Sequence, residues 1–414
     1  MTTFPVLRRT GLILLALLLA ALILWLSGAG QPRLEHLPAA TLAIPDGKPA
    51  RHVLVLASAS QQLDDRQLLE LAGDNQARVL QLVLTVQPCE QWPRQMEKAI
   101  HRLGQTPDLV AGVEAGAARA WRWLASQTSD QAEALSVGFA LQQPDCSGQP
   151  LPERAAHGHW LTAWNENPDP DTARFVREQP RTENVIGYYG TPLARVLFAQ
   201  LKRALQGQAD PVPVVEEPAS PSTGVVTIFY SGDGGWRDLD RDSAEYMARQ
   251  GYPVVGVDAL RYFWQHKSAE QVTSDLEQLM ATYRQKWNAS AFVLAGYSFG
   301  ANLLPEVYNR LPARDQQQIK ALLLLAPERS GSLEIEVQGW LGGTGQEIRL
   351  APELVKVPMD KLFCIYGSEE AEESGCTLAE ARMEKLQLPG GHHFDEDYPK
   401  LAQRMLDAIR QRLH

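Results

Sequence analysis

One stretch constrains what this chain folds into more than any other. An apolar run from Phe292 to Ala295 leads into Gly-Tyr-Ser-Phe-Gly, residues Gly296 to Gly300, and a helix-compatible stretch from Leu303 to Leu311 follows. A G-x-S-x-G pentad between a strand and a helix is the pattern of a nucleophile elbow. The glycines are required because so sharp a turn leaves no room for a Cβ on either side of the serine. Such a turn lifts the serine hydroxyl above the carboxyl edge of a parallel sheet. It also sets it beside a helix N-terminus, which favours developing negative charge. Ser298 is therefore the candidate nucleophile.

The chain around this stretch is a dense alternation of strands and helices. Val225–Tyr230, Val254–Val257, Ala291–Ala295, Ala321–Leu325 and Lys361–Tyr366 are short apolar runs of the kind buried on both faces of a parallel sheet. Helical patterns over Ser243–Gln250 and Glu270–Trp287 separate them. The first of these strands ends in Tyr-Ser-Gly-Asp-Gly-Gly-Trp, Tyr230 to Trp236. A glycine-rich turn there points backbone N–H groups at the space above the serine. With the N–H of Phe299, the amide of Asp233 or Gly234 is expected to form an oxyanion hole. No Gly-Lys-Ser/Thr follows, which speaks against a phosphate-cradling loop. Asp258, after the second strand, reads as a structural acceptor.

The acid and the base come later, in the order Ser, acid, His that α/β-hydrolases share. The strand ending at Gly367 leads into Ser-Glu-Glu-Ala-Glu-Glu. Glu370, three residues past the glycine, is the expected acid, with Glu369 and Glu373 as alternatives. The base lies in Leu388-Pro-Gly-Gly-His-His-Phe-Asp395. Pro-Gly-x-x-His spacing points to His393, whereas a histidine directly after Gly-Gly points to His392; His393 is taken as the base. His266 and His414 read as surface residues. Leu333 to Leu341 alternates like an exposed strand and suits a hairpin over the site. With Trp236, Tyr262, Phe263 and Trp264 it either lines an apolar cleft or leaves those rings to the core.

At 414 residues the chain exceeds what one core usually organises. Gln206 to Thr223, rich in Pro, Ala, Ser and Glu, reads as a linker over 207–223 between a first domain at 45–206 and a second at 224–414. Residues 31–48 read as flexible. In the first domain, strands are expected at His52–Leu56, Arg78–Val86 and Asp108–Ala111, and a helix over Met96–Leu103. The third strand runs into Gly-Val-Glu-Ala-Gly-Ala-Ala, which lays over the elbow without a gap but has Glu114 at the serine position. Gly-Tyr-Tyr at Gly187–Tyr189, before a helix at Ala194–Leu205, mirrors Gly-His-His at Gly391–His393. The expected fold is thus α/β, two tandem α/β-hydrolase-like domains, the first degenerate and the second catalytic.

Arg8 and Arg9 precede an apolar run from Gly11 to Leu26 and then Ser-Gly-Ala-Gly, so residues 1–30 read as a signal peptide or an N-terminal membrane anchor. In an exported chain an even cysteine count reads as disulfides, here Cys364 with Cys376 and Cys89 with Cys146. Their spacing suits no metal site, and no cofactor is implied. A formal net charge of −10 argues against nucleic acid as a partner.

Four segments carry a resemblance: Phe229 to Trp236, Leu260 to Trp264, Gly296 to Gly300 and Gly391 to Phe394. Together they resemble the VirJ/AcvB family of exported bacterial virulence factors over residues 224–414, and the first domain resembles the degenerate repeat of longer AcvB-type members. The resemblance implies a hydrolase that removes the amino acid from aminoacyl-phosphatidylglycerol at the periplasmic face of the inner membrane, with an aminoacylated phospholipid as partner. It maps the triad onto Ser298, Glu370 and His393. A cationic α-amino group calls for a carboxylate, and Asp233 is the expected one. The competing expectations are a general periplasmic carboxylesterase or peptidase, and a non-catalytic escort protein for a secretion system.

Overall fold

The computed structural model describes residues 31–84, 92–143, 149–208, 211–264, 267–332 and 347–413. Residues 1–30, Cys89, Cys146, His266, His414 and Leu333–Leu341 lie outside the described residues. The chain divides between Ala209 and Asp210 into two compact units.

The second unit opens with β9 (Val214–Glu217), and this is the first departure from expectation. Part of the segment read as a linker is an edge strand, paired antiparallel with its neighbour β11 (Val254–Val257). Flanking prolines at Pro213 and Pro218 hid a run of four residues. The remaining strands are β10 (Val225–Tyr230), β12 (Ala291–Tyr297), β13 (Ile319–Leu325), β16 (Leu362–Gly367) and β17 (Glu384–Leu388). They form a sheet in the order β17-β16-β13-β12-β10-β11-β9, parallel except for β9. A small antiparallel pair, β14 (Ser330–Ser332) with β15 (Glu347–Arg349), brackets residues 333–346.

Both faces of this sheet are covered, which is why its central strands read as continuous apolar runs. One face buries Val226, Ile228, Phe292, Leu294, Leu322 and Leu324. The opposite face buries the alternate residues Val225, Phe229, Val293, Ala295, Leu323 and Leu325. Against the second face pack Leu239, Ala244 and Met247 of the helix Leu239–Arg249, and Leu401, Met405, Leu406 and Ile409 of the helix Tyr398–Arg412. The first face takes Val272, Leu276 and Met280 of the helix Ala269–Lys286, and Leu303, Leu304 and Val307 of the helix Phe299–Arg310. Tyr262, Phe263 and Trp264 are buried, Tyr262 and Phe263 in the same first-face core.

The first unit holds β1 (Arg33–Leu37), β2 (Ala40–Ile44), β3 (Arg51–Ser58), β4 (Ala77–Leu84), β5 (Leu109–Val113), β6 (Glu133–Val137), β7 (His159–Trp164) and β8 (Thr182–Ile186). The stretch read as flexible is the β1–β2 hairpin, and β2 pairs antiparallel with β4. Its turn at Pro38 and Ala39, with Ala39 at φ 58°, lacks the glycine that usually announces a hairpin. The sheet order is β1-β2-β4-β3-β5-β6-β7-β8, and every pair from β4 to β8 is parallel.

Without β1, the two sheets have the same order. The strands β2-β4-β3-β5-β6-β7-β8 correspond one by one to β9-β11-β10-β12-β13-β16-β17, down to the antiparallel edge strand. Glu114 follows β5 as Ser298 follows β12. Chain order, sheet order and edge polarity all agree, and independent α/β units rarely match in all three. The chain is two tandem α/β-hydrolase-like units.

Candidate active site

Ser298 stands between β12, the fourth strand of seven, and the helix Phe299–Arg310. Its backbone is at φ 51°, ψ −112°, a region that L-residues rarely occupy. The glycines explain how the turn closes. A Cβ on Gly296 would stand 2.4 Å from the Gly300 carbonyl carbon, and one on Gly300 would stand 2.3 Å from the Tyr230 oxygen. The Ser298 amide donates to the Leu325 carbonyl at 2.8 Å, tying the elbow to β13. Asn302, one turn into the helix, accepts from the Glu328 amide at 2.9 Å and fixes the segment after β13.

The base is where the structure departs from the sequence reading. His392, not His393, faces the serine: its Nε2 lies 2.9 Å from Ser298 Oγ, and its Nδ1 lies 2.9 Å from Glu370 Oε2. His393 meets Tyr297 instead, its Nδ1 lying 3.1 Å from the Tyr297 hydroxyl. The pair sits in a turn before the 3₁₀ segment Phe394–Glu396, with His393 at φ −100°, ψ 10°, and of the two it is His392 whose ring comes within hydrogen-bond reach of Ser298. The same Tyr297 hydroxyl donates to the His392 carbonyl at 3.3 Å, so this tyrosine contacts His392 through its backbone and His393 through its ring. Burial pushes the Tyr297 hydroxyl above its ordinary range, so it stays protonated as a donor.

Glu370 occupies the position expected of the acid, at the end of a short 3₁₀ turn after β16. The alternatives serve elsewhere. The Glu369 amide donates to the Gly390 carbonyl at 3.1 Å and joins the acid loop to the histidine loop. Glu373 lines a small cleft behind His392. The acid loop is pinned from several sides. The disulfide Cys364–Cys376 closes it, with Cα atoms 5.7 Å apart. Arg329 donates to the Glu372 carbonyl at 2.7 Å and to Thr377 Oγ1 at 3.1 Å, and the Gly375 amide donates to the Pro327 carbonyl at 2.7 Å. That disulfide fits an oxidising compartment. Among the described residues no helix is long and apolar enough to cross a membrane.

Above the serine lies a cleft of about 200 Å³, bounded by the turn Gly232–Gly235 on one side and by Tyr297, His392 and His393 on the other. Asp233 and Gly234, the residues whose amides are expected to serve an oxyanion hole, line it. Phe299 is the first residue of its helix, so its N–H has no carbonyl partner within that helix. Asp258 holds the turn in place. It accepts from the Arg261 amide at 3.2 Å, and a Cβ on Gly235 would stand 3.0 Å from its Oδ1. Burial pushes its carboxyl above the usual range, against the pull of backbone N–H groups of Arg261 and Trp236. The aromatic residues do not line the cleft. Trp236 packs edge-on against Phe229 with ring centroids 5.7 Å apart, and Tyr262, Phe263 and Trp264 are core residues.

One residue of the cleft escaped the sequence reading. Asp233 is exposed at the rim, whereas Asp240, in the first turn of the helix Leu239–Arg249, is only 2% exposed and lines the same cleft. The signal that could have found it is Trp236-Arg-Asp-Leu-Asp240, which follows the glycine turn directly; the sequence pattern reads as helical only from Ser243, whereas the helix starts at Leu239 and carries Asp240 in its first turn.

Residues 224–413 match the family model described as bacterial virulence protein (VirJ). No curated protein matches the sequence. Among solved structures, the chain is similar to Est1E from Butyrivibrio proteoclasticus with ferulic acid bound, at 12% identity over 49% of this chain and 95% of that one, with a TM-score of 0.35. It is similar to MenH from S. aureus at 14% identity, over 49% and 99% of the two chains, with a TM-score of 0.37. A putative dienelactone hydrolase from Klebsiella pneumoniae is 16% identical over 48% and 99%, with a TM-score of 0.35.

Proposed function

We propose, from the match of residues 224–413 to the VirJ family model, that this chain is a serine ester hydrolase acting on aminoacyl-phosphatidylglycerol at the periplasmic face of the inner membrane. The observation that carries the hydrolase reading is the relay Ser298 Oγ, His392 Nε2, His392 Nδ1, Glu370 Oε2, with both contacts at 2.9 Å. A strained elbow, a histidine and an oriented carboxylate in that geometry suit a serine nucleophile in acyl transfer.

In the first step His392 takes the Ser298 proton on Nε2 as the hydroxyl oxygen bonds to the ester carbonyl carbon. Glu370 accepts a hydrogen bond from Nδ1–H, fixes the tautomer and stabilises the imidazolium that forms. The carbonyl oxygen, now negative, is received by the Phe299 N–H and by an amide of the Gly232–Gly235 turn. One such donor contributes about 3–4 kcal/mol in comparable sites. The imidazolium then protonates the departing glycerol oxygen, and phosphatidylglycerol leaves with an acyl-Ser298 behind it. Water, deprotonated by His392, cleaves that ester and frees the amino acid.

The test is amino acid release from vesicles containing alanyl-phosphatidylglycerol by the purified full chain, with Ser298→Ala as control. Release that depends on Ser298 is expected. Equal release by a folded Ser298→Ala protein overturns the hydrolase reading. Hydrolysis of simple esters with no release from the vesicles overturns the lipid substrate alone.

A further inference from the structure

Asp240 lines the cleft above Ser298 with its side chain almost wholly buried, and its Oδ1 meets no hydrogen-bond partner among the described residues. A buried carboxylate oxygen with nothing to accept from is costly, and native structures rarely keep one without use. The Arg237 backbone N–H is the donor turned towards this carboxyl. The surrounding charges do not help it. Asp258 and Asp238 face it as like charges, and only the Arg237 guanidinium opposes them. Arg237 is itself exposed, and its guanidinium lies over Gly234: a Cβ there would stand 2.7 Å from Nη2. The wall of the cleft therefore holds a desolvated acid that a cation entering with the substrate would satisfy.

We propose that Asp240 is the specificity-determining residue of this cleft, accepting the ammonium group of an acyl ester whose carbonyl is presented to Ser298. An organic monocation is the chemistry that fits. Among the described residues no three His, Cys, Asp or Glu side chains converge to hold a metal ion, and one free carboxylate oxygen matches one ammonium N–H. Asp240 and Ser298 line one cleft of about 200 Å³, so ammonium and carbonyl carbon belong to the same small acyl group, as in an α-amino acid ester. Asp233, at the exposed rim, keeps its water and gains less from the same contact. Burial, the largest cause, pushes the Asp240 carboxyl well above the ordinary carboxylate range, and a bound ammonium counters that push.

This inference rests on the ester-hydrolase reading, and neutral esters keep the two separable. Steady-state kinetics are measured on an alanyl ester and on its propionyl analogue, which lacks only the amine. If the wild-type chain turns over the propionyl ester and Ser298→Ala does not, the hydrolase reading stands whatever the amine does. For Asp240, the ratio of kcat/KM on the alanyl ester to that on the propionyl ester is expected to fall roughly ten- to a hundredfold in Asp240→Asn. Equal losses on both esters overturn the proposal and mark Asp240 as a neutral acid donating to the carbonyl or as a packing residue. Should Asp240→Asn not fold, inhibition of propionyl-ester turnover by ethylammonium and by 1-propanol decides on the wild-type protein. Ethylammonium inhibiting at least tenfold more strongly supports the ammonium site; equal inhibition overturns it.

Discussion

Glu114 and Ser298 share one backbone conformation, φ 51°, ψ −113° for the glutamate and φ 51°, ψ −112° for the serine. The surroundings match as well. The Glu114 amide donates to Val137 as that of Ser298 does to Leu325, at 2.9 and 2.8 Å. A Cβ on Gly112 would stand 2.0 Å from the Gly116 oxygen, as one on Gly296 would crowd Gly300. The first unit has thus kept the turn that presents a nucleophile while carrying a glutamate where the second unit has its serine. The corresponding base position is also altered: Tyr188 and Tyr189 stand 53% and 88% exposed where the second unit has its histidines.

The two histidines of the second unit should separate cleanly. His392→Ala removes the group between Ser298 and Glu370, and loss of a triad member costs about 10⁴–10⁶-fold in rate in well-studied cases. His393→Ala removes a partner of Tyr297 on the exposed side of the loop, and a loss of about tenfold or less is expected. Turnover of a neutral ester by both folded variants measures it. The reverse order would return the base to His393.

The disulfide should matter more to activity than its distance from the chemistry implies. Cys364 and Cys376 enclose Glu370, and closing a loop of this length stabilises by about 3 kcal/mol on chain-entropy grounds. Cys364→Ser with Cys376→Ser is expected to lower the denaturant midpoint. It should also lower kcat at temperatures where the protein is still folded, because Glu370 then orients His392 less tightly. A double variant with full kcat below its melting range would show that the Arg329 and Gly375 contacts hold the loop unaided.

The elbow, the order of the triad and the acid were legible in the sequence because each sits in a short motif whose backbone demands are strict. Gly296 and Gly300 could be read because nothing larger fits there. The choice between His392 and His393 could not, since it turns on which way one peptide of a loop faces, and that is fixed by Tyr297 from another strand. Asp240 was hidden for a related reason. Nothing local distinguishes a first-turn aspartate in water from one folded over an active-site cleft. The β1–β2 hairpin and β9 were missed because edge strands of four or five residues carry little periodicity, and their pairing is decided by the neighbouring strands β4 and β11.

Asp240 also links pH to stability. Its carboxyl is raised by burial first and by Asp258 and Asp238 next, with only Arg237 opposing; Tyr297 and Asp233 line the same cleft. A carboxyl whose folded-state pKa lies above its unfolded value, about 3.9, binds its proton more tightly in the folded chain. Its contribution favours the fold at low pH and is lost as pH rises through the folded-state value. Asp240→Asn removes that loss. The variant is therefore expected to melt higher than wild type at pH 8, with the difference shrinking as pH falls towards 4. Calorimetry of both proteins at the two pH values checks this. A variant that melts lower at pH 8 would make Asp240 a structural acid.

The last prediction returns to Glu114. A non-glycine residue held at φ 51° costs on the order of 1–3 kcal/mol of backbone strain. At Ser298 that strain has a use, since it lifts the hydroxyl towards His392. At Glu114 the corresponding partners are missing, so the strain remains without the chemistry. Glu114→Gly is expected to relieve it, offset by the roughly 0.4–1 kcal/mol that glycine costs through the unfolded chain. The net is a gain of up to about 2 kcal/mol in the stability of the first unit, with ester turnover within about twofold of wild type. Glu114→Ser should add no second activity, because Tyr188 and Tyr189 offer no base. Thermal melting and turnover number per chain measure both. A Glu114→Gly protein that loses hydrolysis while folded would show that the first unit takes part in the reaction, and one that melts well below wild type would show that the glutamate side chain stabilises the turn it strains.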